Sequence, residues 1–150
     1  MGMDIYGLNP KIKEGSIKPK EIDWGKATDE EKDKYIKAKN KYEDDNIGVY
    51  FRNNVWWWRP LWDYIYNATD FISDDEWNQG HMNDGLEIDE DRAKKIAEYL
   101  DYALRSGEVK DYEKQYEHMS KDEEYAYPFS EENVREFAIF CHESGGFRIC

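Results

Sequence analysis

The chain is poor in the residues that usually announce chemistry. It has two cysteines, Cys141 and Cys150, and no CxxC pair, which excludes a disulfide framework and a thiolate metal site. Its three histidines, His81, His118 and His142, fall in neither an HxxxH nor an HExxH spacing, so no metal is expected. Cys141 and His142 are neighbours on an expected helix and point about 100° apart, the wrong arrangement for a thiol and its base. There is no glycine-rich phosphate loop and no GxSxG turn. Acids are so abundant that a pair such as Asp84 and Asp89 has no specificity as general acid and base. These absences weigh against catalysis and imply no cofactor.

Long apolar runs are missing too. None approaches the roughly 18 to 20 residues of a membrane span, and no basic segment followed by an apolar core opens the chain, so the expected compartment is the cytoplasm. Basic residues are outnumbered, 21 Lys and Arg against 34 Asp and Glu, for a net charge of −13. Such a surface repels phosphate backbones, which excludes direct binding of DNA or RNA as an expectation. The acids lie in short runs at Asp29 to Glu31, Glu43 to Asp45, Asp74 to Glu76, Glu87 to Asp91 and Asp122 to Glu124. They solubilise, and they would also steer a basic protein surface toward the chain.

What is present is aromatic. At 150 residues, 39% hydrophobic, the chain is long enough for one domain with its own core. The block from Tyr50 to Tyr64 holds four of the six tryptophans with two arginines and two asparagines. Leu or Ile would fill a core without an indole N–H that needs an acceptor, so a ligand site is one reading of the block. Aromatic faces stack on a nucleobase for roughly 1 to 3 kcal/mol per base, and a guanidinium bonds phosphate in a bidentate manner. Charges beyond a Debye length of about 8 Å are screened, so local arginines can hold an anion despite the acidic whole. The candidate ligand residues are Arg52, Asn53, Asn54, Trp56, Trp57, Trp58, Arg59 and Trp62. Asn83 and Asp84 join them from a turn, and Arg148 from beside Gly145-Gly146. The competing reading is a Trp-rich core wall whose arginines pair with acids such as Asp63.

Patterning predicts an α-rich α+β domain with two or three short strands. Met3 to Leu8 alternates as a strand, 48 to 52 is a second, and Phe147 to Cys150 returns as a third. Thr28 opens a polar helix to about Tyr42 with a thin apolar stripe. A helix capped by Asn53 or Asn54 runs to Phe71 or Ile72, with Pro60 in its first turn or kinking it. Ser73 to Gly85 reads as an acidic loop. Ala93, Ile96, Ala97, Leu100, Ala103 and Leu104 mark one face of a core helix from Asp89 to Ser106. A polar helix follows over 109 to 120, and a last one from Ser130 to Ser144.

Met1-Gly-Met-Asp-Ile-Tyr-Gly7, the Tyr50 to Tyr64 block, Asn83-Asp84-Gly85, and Tyr127-Pro-Phe-Ser-Glu-Glu-Asn-Val-Arg-Glu-Phe137 with Ser144-Gly-Gly-Phe-Arg-Ile-Cys150 together resemble a family of small uncharacterised proteins of bacteria and tailed phages. Residues 11 to 46 lie outside that resemblance and read as a loop-plus-helix insertion into the single domain, 1 to 150. The resemblance implies a phage origin and brings no catalytic residues with it. The leading functional expectation is therefore non-catalytic binding of a small nucleotide-like ligand, with a phage protein sequestering a host immune signalling nucleotide as its concrete form. The alternative is an acidic inhibitor that mimics nucleic acid and blocks a basic surface of a host defence factor. With 24 aromatic residues to bury, a homo-oligomer formed around the central block or the C-terminal helix and Phe147 is also expected.

Overall fold

Ala93, Ile96, Ala97, Leu100 and Ala103 recur at helical spacing, and all five are buried along one face of a single helix. A computed structural model describes residues 2–121 and 127–150. In chain order these form β1 (Gly2–Gly7), α1 (Asp29–Asp45), a 3₁₀ turn (Ile47–Val49), β2 (Tyr50–Asn54), α2 (Val55–Ala68), α3 (Asp74–Gly80), β3 (Leu86–Ile88), α4 (Glu90–Ser106), α5 (Glu108–Ser120), α6 (Glu131–Ser144) and β4 (Phe147–Ile149). The fold is α+β, with the strands in one antiparallel sheet of order β2-β1-β4-β3.

Strand alternation divides the sheet into two unlike faces. Met3, Ile5, Phe51, Leu86, Ile88, Phe147 and Ile149 point to one side and are buried. Against them lie α4 and α6, whose Ile96, Leu100, Val134, Phe137, Phe140 and Cys141 complete the core. Phe137 meets Phe51, Trp58 and Phe147 at ring centroid distances of 5.1 to 5.5 Å. Helices thus cover one face of the sheet. The other face carries Asp4, Tyr6, Tyr50, Arg52, Glu87 and Arg148.

Local chemistry sets the helix ends. Thr28, Asn54, Ser73, Asp89 and Ser130 each accept a backbone N–H of the first turn through the side chain. Gly145 and Gly146 leave α6 at φ 64° and 96°, a backbone that side chains disfavour, and so turn the chain into β4. Asn54 is the cap of α2, so Pro60 lies inside that helix and cannot donate to the Trp56 carbonyl.

Three sequence expectations are corrected. The sheet has four strands, not two or three; β3 is only three residues long, and its Ile88 reads equally well as a helix staple. The expected loop at 73 to 85 contains α3, closed by a reciprocal capping box between Ser73 and Glu76. Helix α2 stops at Ala68, where the Thr69 backbone N–H and hydroxyl both donate to the Ile65 carbonyl. The stretch from Asn9 to Thr28 has no helix or strand, and α1 has no buried residue. That arm is tied to the domain by the Lys11 backbone N–H, which donates to the Glu143 carbonyl, and is braced internally by Asn46, whose side chain accepts from the Lys13 backbone N–H and donates to Ser16 and to the Tyr42 carbonyl.

Candidate functional site

The tryptophan block divides by helix geometry. Trp58 and Trp62 are one turn apart on the inner side of α2, fully buried and stacked on each other at 5.4 Å. Their indole N–H groups donate to the carbonyls of Gly80, at 2.7 Å, and Trp77, at 3.1 Å. Neither ring has a face for a ligand, and the expectation that they stack on one is corrected: α3 supplies the acceptors and closes over them. Trp56 remains half exposed, edge-on to Tyr127 at 4.9 Å. Arg59 donates to the Tyr127 hydroxyl at 3.3 Å, and its Nε is buried without a partner among the described residues.

The asparagines are engaged structurally. Asn54 caps α2 through the Trp57 backbone N–H. Asn53 and Asn133 exchange two amide hydrogen bonds of 2.9 Å, joining β2 to α6. Trp57 lies beside that pair, in a shallow hollow it shares with Ser130, Glu132 and Glu136. Asp63 is not the partner of Arg59; it accepts from Trp77 Nε1 at 2.7 Å and contacts His81 Nε2 at 3.0 Å.

The remaining candidates gather on the open face of the sheet. Register places Arg52 opposite Asp4, Tyr6 between Tyr50 and Arg148, and Arg148 opposite Glu87. With strands about 4.8 Å apart and residues rising about 3.4 Å each, the Cα atoms of Arg52 and Arg148 are separated by roughly 12 Å. Both side chains lean toward the same end of the sheet. A Cβ added to Gly2 would sit 2.9 Å from Arg52 Nη2, and one added to Gly85 would sit 2.9 Å from Arg148 Nη2. Asn83 reaches this end as well, donating to the Gly2 carbonyl at 3.3 Å, with Asp84 exposed beside it. Two glycines thus leave room for two guanidinium groups.

Tyr6 and Tyr50 are functional candidates that the motif reading missed. Their rings lie 5.2 Å apart in the row that contains Arg148. Tyr50 donates to Asp4 Oδ1 at 2.5 Å. Burial and then the Asp4 carboxylate push the Tyr6 hydroxyl above its ordinary value, and burial and then the Asp4 hydrogen bond do the same for Tyr50. Both rings are therefore neutral near pH 7. Alternation carried the signal: Asp4 and Tyr6 interleave with Met3 and Ile5, as Tyr50 and Arg52 flank Phe51. Arg52 meets Asp4 at 3.8 Å while remaining largely exposed, and the Arg148 side chain has no ion pair or hydrogen bond among the described residues.

Among the described residues the neighbours Cys141 and His142 do not form a nucleophile and its base. His142 contacts Asp101 at 2.5 Å, beside Cys141 in sequence, but burial pushes the Cys141 thiol well above its ordinary value and away from nucleophilic character. Among the described residues no group of His, Cys, Asp and Glu is arranged to hold a metal ion, and no helix is long and apolar enough to cross a membrane. No protein-family model, curated protein or solved structure matches the chain.

Proposed function

We propose that the protein binds a small anionic ligand of the nucleotide kind on the open face of its sheet and releases it unchanged. The supporting observation is the pairing of Arg52 and Arg148, two solvent-facing guanidinium groups leaning to one end of a sheet whose adjoining row holds the Tyr6 and Tyr50 rings. An exposed antiparallel sheet with aromatic rings is a platform on which bases stack, and guanidinium groups bond phosphate oxygens in pairs. Asp4 and Glu87 balance the two arginines, so the face is locally neutral within an acidic molecule. A single nucleotide tolerates that balance, whereas a polynucleotide would meet the surrounding acids.

The resemblance to small phage and bacterial proteins supports a biological form of this reading, the capture of a host immune signalling nucleotide in the host cytoplasm. Capture needs affinity and copy number, not turnover, in keeping with the weak case for a catalytic group. The test is calorimetric titration of the intact protein with a panel of cyclic and ADP-ribose-derived nucleotides. At least one should bind, be recovered chemically intact, and lose affinity by about tenfold or more in both Arg52→Ala and Arg148→Ala, as expected for a charged hydrogen bond. No heat across the panel, or binding indifferent to both substitutions, would refute the proposal. A salt-sensitive complex with a basic host protein, formed without any nucleotide response, would favour the acidic-inhibitor alternative.

A further inference from the structure

Between α2, α4 and α5 lies an open hollow of about 490 Å³, lined by Tyr64, Tyr102, Ser106, Glu108, Asp111, Tyr112 and Gln115. Three of these seven are tyrosines, two are acids and none is basic. Tyr64 is almost fully buried at the base of the hollow, its ring 4.7 Å from that of Tyr112, while Tyr102 is 54% exposed and leaves ring surface to solvent. Glu108 is fixed by two hydroxyls acting on one oxygen: Tyr99 donates to Oε1 at 2.6 Å and Tyr64 at 3.4 Å. Its Oε2 has no hydrogen bond among the described residues, and neither has the side chain of Asp111.

We propose that this hollow binds an organic ammonium cation, with the Tyr102 and Tyr112 rings as walls and Glu108 and Asp111 as counter-charges. A cation is drawn to the negative faces of aromatic rings, and an alkylated ammonium is hydrated weakly enough to leave water for them. A hard inorganic ion would instead require a closed set of oxygen ligands, which two carboxylates on one wall do not make. Tyr64, Tyr99 and Tyr112 are all held in the neutral form, chiefly by burial, with Tyr99 pushed up to about 12. The charge of the hollow is therefore that of its two carboxylates, and the net charge of −13 attracts cations to the molecule as a whole. This site is independent of the anion-binding face of the sheet.

The test is an NMR titration of the intact protein with tetramethylammonium chloride at constant ionic strength, sodium chloride making up the balance and tert-butanol serving as the neutral isostere. The expected result is saturable shifts of the amides around Tyr102, Glu108, Asp111 and Tyr112, no response to tert-butanol, and affinity reduced by about two- to fivefold in Tyr102→Ala and in Asp111→Asn at unchanged Tm. Tyr102→Ala removes a ring without altering charge, so it separates caging from general attraction to an acidic surface. Absence of saturable shifts, shifts spread over all the acidic segments, or undiminished binding in Tyr102→Ala would each overturn the proposal.

Discussion

The dense indoles of the central block are two populations, enclosed and partly exposed, and the enclosure of the inner pair rests on single acceptors. Trp58 and Trp62 are enclosed because the carbonyls of Gly80 and Trp77 take their N–H groups. Trp58→Ala should therefore cost about 3 to 5 kcal/mol in chemical denaturation, through lost burial and an unfilled cavity. Gly80→Ala tests the same closure from the other side. A Cβ there would lie 2.1 Å from Trp62 Nε1, so overpacking of about 1 to 3 kcal/mol is expected in the same measurement. Arg52→Ala, by contrast, should leave stability within about 0.5 kcal/mol, since that side chain is exposed and its ion pair is wet. The indole positions were legible in the sequence and their acceptors were not. Those acceptors belong to a segment of acidic and small residues that reads as a loop, so each N–H appeared to await a ligand.

Among the elements, those with caps and a strong apolar stripe were legible: Asn54, Asp89 and Ser130 begin α2, α4 and α6, and the stripe of α4 is its buried face. Short elements were not. Helix α3 and strand β3 are too brief for periodicity to accumulate, and both are held by tertiary contacts. Arg92 of α4 bonds Glu76 of α3 at 2.6 Å and its own cap Asp89 at 3.0 Å. Burial raises the Glu76 carboxyl, but Arg92 and the Ser73 backbone outweigh that and hold it below its ordinary value. Glu76 thus adds stability that is complete above its unfolded-state pKa and is lost as pH falls through its lower folded-state value. The acid limb of a stability–pH curve should accordingly flatten in Arg92→Ala. Helix α1 makes the opposite case, because with no buried residue it has little to hold it closed. Its amides should exchange hydrogen well before those of α4 and α6.

For the whole molecule, the layer architecture decides what is available to a partner. Helices cover one face of the sheet and leave the other to Tyr6, Tyr50, Arg52 and Arg148. The central block marked Arg52 and the Gly145-Gly146 turn marked Arg148 as candidates, but only the register of β1 against β2 and β4 brings them onto one surface with Tyr6. Pairing of distant strands is not written in any local pattern. Most acidic runs have a local role: Asp29 to Glu31, Asp74 to Glu76 and Glu90 to Asp91 occupy the first turns of α1, α3 and α4, where negative charge complements the helix dipole. The run Asp122 to Glu124 lies outside the described residues. Phe147 and the inner indoles Trp58 and Trp62 are enclosed in the chain's own core, while Trp56 and Ile139 of α6 keep surface exposed.

The most direct test is amide shift mapping on the intact protein with the tightest-binding nucleotide of the panel. Perturbations should centre on Asp4, Tyr6, Tyr50, Arg52, Asn83 and Arg148, and should be absent when Arg52 and Arg148 are both replaced by alanine. Shifts confined to the outer side of α2 around Trp56 and Arg59, or no shifts with any nucleotide, would contradict binding on the open face of the sheet.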